Sequence, residues 1–158
     1  MPGAQLKEPC EFGYKVLLAE AENDVIVDYR VLTENLPDNE LLGDVVERHW
    51  QSFGRPPQEL AADRGFSDKT KEEELRRQGV QKIAIPYRGK RSKSRQEYEK
   101  QGWFRRLCRW RAGCEASISL LKRKYGLRRS RMRGHRGTCI WVGWGVMAHN
   151  LVRIGARV

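Results

Sequence analysis

An apolar stripe between residues 103 and 125 most constrains what this chain can fold into. Its members follow one another at steps of three or four positions: Trp103, Leu107, Trp110, Cys114, Ile118, Leu121 and Tyr125. This spacing is typical of an amphipathic helix that lays one face on a core. We therefore predict a long helix over about residues 101–125, ended by Gly126, with its apolar stripe facing the core.

The remaining patterns predict a mixed sheet flanked by helices. The predicted elements are a strand hairpin (12–19 and 24–32), a helix N-capped by Asp38 (38–50), a short strand (58–62), a helix capped by Ser67 or Asp68 and ending near 78, a strand (80–86) and a last helix (138–154). Residues 87–100 are polar and basic, and we expect a loop or a lead-in to the long helix. Trp141 and Trp144 are expected in the core. The fold class is α/β.

Length and composition exclude several classes of protein. The 158 residues suit one domain, and 32% charged with 39% apolar residues fit neither a membrane protein nor a disordered chain. The most apolar run, 140–151, is shorter than the ~20 residues that a membrane span needs. The four cysteines, Cys10, Cys108, Cys114 and Cys139, form no CxxC pair, which favours reduced thiols in the cytoplasm.

The positive charge is concentrated in one region. Residues 88–136 hold 18 lysines and arginines against three acids, while the whole chain carries +11, so the rest of the sequence is net acidic. A solvated basic surface is the simpler interpretation. So many cations in so short a stretch nevertheless favour a partner that supplies negative charge, and DNA phosphates do so while releasing counterions.

Two carboxylates carry the chemical signal. Asp63 follows a short predicted strand and precedes Gly65, a place where α/β folds position ligands, although it could simply cap a turn. Glu115 is the only acid between Lys100 and the C-terminus, and it shares one edge of the long helix with Arg111 and Lys122. An ordinary i,i+4 Arg–Glu pair is the alternative. Together the two acids predict a Mg²⁺ site, for which a third carboxylate is normally needed.

These residues resemble a known family. Arg111-x3-Glu115-x6-Lys122 is similar to the core of the YREK signature in DDE transposases of bacterial insertion sequences, and Asp63–Arg64–Gly65–Phe66 resembles their ADRGY segment. The stretches Phe12–Lys15, Trp141–Trp144 and His149–Leu151 also resemble these proteins. The position of the signature's tyrosine is Cys108, a departure that affects one DNA contact.

The resemblance implies an RNase H-like domain over 12–158, after an N-terminal tail over 1–11, and Mg²⁺-dependent cleavage and transfer of DNA strands. It implies that Asp63 and Glu115 bind the metal and are catalytic, and that Arg111 and Lys122 contact insertion-sequence ends, the double-stranded DNA partner. Further cations of the basic region 88–136 are expected to bind DNA: Arg109, Arg123, Lys124, Arg128, Arg129 and Arg131. No membrane partner is expected, and the protein is expected in the bacterial cytoplasm with the nucleoid.

The first catalytic Asp of such a family has no counterpart here. Residues 1–11 contain no Asp, Glu8 and Glu11 lack strand context, and Asp24 and Asp28 belong to the hairpin. We therefore expect the C-terminal part of a transposase that lacks the first strand. Alone it is expected to be inactive, unless another chain, a second copy or the missing N-terminal part, supplies that strand.

Two other functions stay open from the sequence. One is a non-catalytic, basic DNA-binding remnant of a transposase, and the other is an RNA-binding protein. A zinc site is not expected, because His49, His135 and His149 are scattered and none pairs with a cysteine at ligand spacing.

Overall fold

The computed structural model describes residues 13–156, and the predicted tail and Phe12 lie outside the described residues. Four strands and five α-helices follow one another: β1 (Lys15–Glu20), β2 (Ile26–Leu32), α1 (Leu41–Phe53), β3 (Glu59–Ala61), α2 (Lys69–Arg77), β4 (Lys82–Ala84), α3 (Lys93–Lys100), α4 (Gly102–Lys124) and α5 (Gly134–Gly155). Short 3-10 turns cover Glu22–Asp24, Asp38–Glu40 and Arg64–Phe66. The mixed α/β class is confirmed.

The strands form two separate sheets. β1 and β2 pair antiparallel, with Lys15 opposite Leu32, and β3 and β4 pair parallel, with Leu60 opposite Ile83. No ladder joins the two sheets within residues 13–156. The single mixed sheet predicted from the sequence is therefore not formed by the described residues, because β1 and β3 each have only one hydrogen-bonded neighbour there.

Three apolar clusters hold the elements together. One joins α1, α2 and β4 around Val46, Leu75 and Ile83, and another joins β2, α4 and α5 around Leu121. The remaining cluster packs the start of α4 on β4 through Leu107 and its neighbours. Helix α4 thus contributes to two clusters, one at each sheet, through Leu107 and Leu121 of the predicted apolar stripe.

Polar side chains fix α5 to the start of β2. His149 is fully buried, and its Nε2 lies 2.8 Å from the carbonyl oxygen of Asp24. Asn150 accepts a hydrogen bond from the backbone N–H of Ile26 at 2.9 Å and donates one to its carbonyl at 2.8 Å. The side chains therefore satisfy backbone groups at the beginning of the strand.

The tryptophans of α5 do not share one environment. The indole nitrogen of half-buried Trp141 donates a hydrogen bond to the carbonyl of Gly126 at 2.8 Å. Trp144 is 62% exposed, so its prediction as a core residue is wrong. The core face of α5 is instead formed by Val142, Val146 and His149, whose spacing turns Trp144 outward.

Residues 93–100 form helix α3, whereas the sequence predicted a loop or lead-in. Ser92 caps this helix by accepting a hydrogen bond from the N–H of Arg95. The Arg95 guanidinium donates to buried Glu72 at 2.7 and 3.0 Å and to Glu99 at 3.0 Å. Burial disfavours the charged guanidinium, but the hydrogen bonds to Glu72 and Glu99 prevail, and the pKa of Arg95 is raised. Paired charges therefore hold this basic segment to α2.

Two predicted helix caps have different outcomes. Asp68 caps α2 and accepts a hydrogen bond from the N–H of Lys71 at 3.1 Å, which confirms one of the two alternatives. Asp38 does not cap α1, which begins three residues later at Leu41. Its carboxylate instead pairs with Lys15 of β1, because a strong cation lies within reach.

Substitution Glu72→Gln tests whether the buried ion pair holds α3. Losing one partner leaves the largely buried Arg95 charge without its main counter-charge, so we expect a loss of about 3 kcal/mol in the free energy of unfolding in urea. The matched control is Glu73→Gln, whose carboxylate is exposed and 4.0 Å from Lys69, and we expect a loss below about 0.5 kcal/mol. Equal losses in the two variants would contradict this role of the pair.

Candidate functional site

The carboxylates of Asp63 and Glu115 meet at one guanidinium. Arg111 donates one hydrogen bond to Asp63 Oδ2 and another to Glu115 Oε1, the latter at 2.9 Å. Asp63 and Arg111 are 48 positions apart in sequence, so the fold and not local spacing creates this arrangement. The structure therefore brings together the two acids that the sequence singled out.

Packing of α4 on the parallel sheet explains this convergence. Phe104 and Leu107 of α4 are buried against Ala84 of β4, with Ala61 of β3 beside them. Asp63 follows β3 directly, at the strand's carboxyl end. Because Arg111 lies one turn beyond Leu107 on the same face of the helix, its side chain reaches that end of the strand.

A second contact fixes the same crossing. Arg106 of α4 donates to both oxygens of Glu59 at 2.8 Å, and Lys82 of β4 donates to Glu59 Oε1 at 2.9 Å. The hydrogen bond from Lys82, opposed by burial and aided by Arg106, lowers the pKa of Glu59. These contacts hold the start of β3, just before Asp63 in the sequence, to the first half of α4.

The two acids face solvent, and the cation between them is more covered. The side chains of Asp63 and Glu115 are 53% and 69% exposed, against 24% for Arg111. Carboxylate oxygens with open surroundings suit a hard divalent ion that keeps water or phosphate oxygens as further ligands. The donor chemistry fits Mg²⁺, but no group of three His, Cys, Asp or Glu suited to a metal occurs within residues 13–156.

Glu20 is a further acid beside α4, near Cys114, that the sequence analysis did not single out. Burial raises the pKa of the Cys114 thiol to about 12, and the nearby carboxylate of Glu20 adds to the effect. Glu20 ends β1, and Cys114 precedes Glu115 on α4. The sequence signal for Glu20 is the same as for Asp63, namely an acid at the end of a strand.

The predicted DNA-contacting cations fall into two groups. Arg111 is engaged by both acids. The others are exposed on α4 or in the segment that follows it, and within the described part of the chain none of them forms an ion pair: Arg109, Lys122, Arg123, Lys124, Arg128, Arg129 and Arg131. Since no Asp or Glu occurs after Glu115, this surface has no acid in its own part of the sequence.

A family model described as "Transposase DDE domain" matches residues 67–155, more than half of the chain. The chain belongs to this family, whose function is transposition, whose substrate is DNA and whose members generally use a divalent metal. The matched range includes Glu115 and ends before the C-terminus, while Asp63 precedes it.

Other comparisons add nothing to this assignment. Neither the curated proteins nor the solved structures contain a match to the chain. Within residues 13–156, none of the helices has the length and apolar character needed to cross a membrane.

Alkylation of Cys114 tests the position of Glu20. Replacing Glu20 by Gln removes a negative charge that opposes thiolate formation, so the pKa of Cys114 should fall and its rate of alkylation at pH 9 should rise several-fold. The rate is measured by iodoacetamide labelling and peptide mass spectrometry. Glu22→Gln, in the adjacent 3-10 turn, is the control and should leave the rate unchanged. Equal alkylation rates in wild type and Glu20→Gln would contradict the position of Glu20 beside Cys114.

Proposed function

We propose that this chain forms the metal-binding and DNA-contacting part of a DDE transposase of the YREK-signature group, which cleaves and joins insertion-sequence ends. The observation that carries the proposal is the convergence of Asp63 and Glu115 on Arg111, beside a basic surface. In this function Asp63 and Glu115 would hold the divalent ion. Lys122, two turns beyond Glu115 on α4, would bind a phosphate near the cleaved bond.

The metal would contribute the chemistry that carboxylates alone lack. When bound, Mg²⁺ lowers the pKa of an attacking water or hydroxyl and stabilises the leaving oxygen of the phosphodiester. The residues of this chain would orient the metal ion and neutralise the phosphate charges. Asp63 and Glu115 would hold the ion, and the cations of α4 and the following segment would bind the DNA backbone.

We further propose that the fold is RNase H-like and that residues 12–158 form this one domain. The two sheets would be the outer parts of a single mixed sheet whose central strand carries the remaining carboxylate. Both sheets lie against α4, where Glu20 approaches Cys114 and Asp63 contacts Arg111. Between the buried residues Leu107 and Leu121, the stripe residues Trp110, Cys114 and Ile118 are only half-buried, which leaves apolar surface for such a strand.

With two carboxylates at the site, the chain by itself is proposed to bind metal weakly and not to cleave DNA. Nicking of supercoiled plasmid DNA in Mg²⁺ or Mn²⁺ measures this directly, and we expect none above background. Robust nicking that disappears in Asp63→Ala would overturn the proposed inactivity, while supporting the proposed site.

Thermal unfolding with Mn²⁺ tests the metal site without requiring activity. A ligand that binds only the folded state raises the melting temperature, so millimolar Mn²⁺ should stabilise the wild type. We expect Glu115→Gln and Asp63→Asn to lose this shift, because each removes one anionic ligand. Glu97→Gln, an exposed acid on α3, is the matched control and should keep it. No shift in wild type would favour a basic DNA-binding protein without a metal role.

The salt dependence of duplex binding tests the basic surface. Lys122→Gln and Arg109→Gln should each weaken binding to a duplex of mixed sequence and reduce the slope of log K against log salt by about one. Lys69→Gln, an exposed lysine of α2 outside the basic region, should change neither quantity. Fluorescence anisotropy at several salt concentrations supplies both values. Preference for structured RNA over this duplex would favour the RNA-binding alternative.

A further inference from the structure

A basic cavity lies between the end of α4, the connecting segment 125–133 and α5. Its volume is about 990 Å³, and two tryptophans of α5, Trp141 and Trp144, form one side. The positive charges along it come from one lysine and four arginines: Lys124, Arg128, Arg129, Arg131 and Arg133. This cavity is separate from the carboxylate pair, which does not line it.

Close backbone packing fixes the shape of the cavity. Gly126 has a left-handed φ of +76°, and the indole nitrogen of Trp141 donates to its carbonyl oxygen at 2.8 Å. At Gly145 a Cβ atom would lie 2.9 Å from the backbone carbonyl oxygen of Tyr125, so only glycine lets α5 approach the segment this closely. The Ser130 hydroxyl bonds both backbone groups of Met132. Contacts within residues 125–145 therefore fix the wall of the cavity.

The charges of the cavity have no acidic counterpart. Within residues 13–156, none of its five cations takes part in an ion pair, and no Asp or Glu follows Glu115 in the sequence. Like charges gathered around one cavity repel each other until an anion neutralises them. A ligand that carries several phosphates supplies this charge.

Trp144 provides a flat apolar surface at the same place. It is 62% exposed, and no other aromatic ring of the described residues stacks on it. The indole of Trp141 is hydrogen-bonded to the carbonyl of Gly126 and forms the adjacent part of the cavity wall. Aromatic rings beside arginines are the combination that binds nucleotides, since the ring stacks a base while the cations follow the backbone.

We propose that this cavity binds unpaired nucleotides of a DNA strand, with a base stacked on Trp144 and phosphates on the surrounding arginines. The proposal rests on the proposed function for its DNA substrate and adds a preference for strand ends or opened duplex. In an intact duplex each base face is covered by its neighbours, so Trp144 has a partner only where a base has left the stack.

Charge argues against a second copy as the occupant. Trp144 also belongs to an exposed apolar row on α5, whose spacing would suit a partner helix: Ile140, Trp144, Met147, Leu151 and Ile154. In a two-fold dimer the same surface of both copies meets. A two-fold axis at Trp144 itself would bring two sets of cavity cations together, and like charges across an interface are destabilising.

Binding of labelled oligonucleotides by fluorescence anisotropy tests the proposal. The probes are a single strand of about twelve thymidines and a duplex of the same length. Trp144→Ala should weaken single-strand binding by about 5- to 150-fold and duplex binding by less than about twofold, and Trp144→Phe should retain most of the affinity. Trp50→Ala, which removes an exposed tryptophan from α1, is the matched control and should bind as wild type does.

A probe without bases separates stacking from a structural effect. An abasic strand of equal length keeps the phosphates, so it should bind wild type as weakly as the thymidine strand binds Trp144→Ala. Trp144→Ala should bind the thymidine strand and the abasic strand equally. In this double-mutant cycle the stacking contact is removed from the protein, from the strand or from both, and removing both partners should cost no more than removing one. Arg128→Gln with Arg131→Gln should weaken binding of both strands.

Three outcomes would overturn the proposal: equal loss of duplex and single-strand binding in Trp144→Ala, no loss at all, or a wild-type dimer that becomes a monomer on this substitution in sedimentation. The last result would assign the apolar row to self-association. All strand-binding measurements are made in EDTA without added metal, and Trp144→Ala should keep the Mn²⁺ shift in melting temperature. Failure of the metal function would therefore leave the strand-binding result unchanged, and failure of the cavity would leave the Mn²⁺ shift unchanged.

Discussion

The packing of α4 against both sheets is the contact on which the rest of the structure depends. No strand ladder connects the sheets within residues 13–156, so helices that contact both sheets set their relation, and of these α4 also carries Arg111 and Glu115. Its first half is buried on β3 and β4 through Leu107, and its end is buried between β2 and α5 through Leu121. Asp63 and Glu115 share Arg111 because the helix crosses the end of β3.

Electrostatics divides the molecule into two kinds of basic surface. Around α3, arginines are paired: Arg95 is enclosed by Glu72 and Glu99, and this pairing orders a segment of low apolar content. Beyond Glu115 the sequence contains no acid, and the lysines and arginines of residues 122–136 remain exposed. The first group contributes to folding. The second carries charge that folding leaves unneutralised, which is why it suits a phosphate-rich partner.

The sequence predicted the elements better than their assembly. Periodicity placed α4 within a residue at each end, because seven apolar positions fall on one helix face. The convergence of Asp63 on Arg111 depends on packing between distant segments, which local patterns do not encode. Helix α3 was missed since its stability comes from buried Glu72 and not from an apolar stripe. Trp144 was misplaced because residue type alone suggested burial, whereas the helix turns it outward.

The two ion pairs of Arg111 affect how a divalent ion and a DNA phosphate would bind at this site. With the guanidinium between the carboxylates, the protein carries its own neutralising ion and avoids repulsion between two nearby anions. In the proposed function, a divalent ion that takes both carboxylates would have to release this arginine, whose freed donors would then suit a phosphate oxygen. Binding of the ion and binding of the DNA backbone at this position would therefore be thermodynamically linked, each favouring the other by the same free energy.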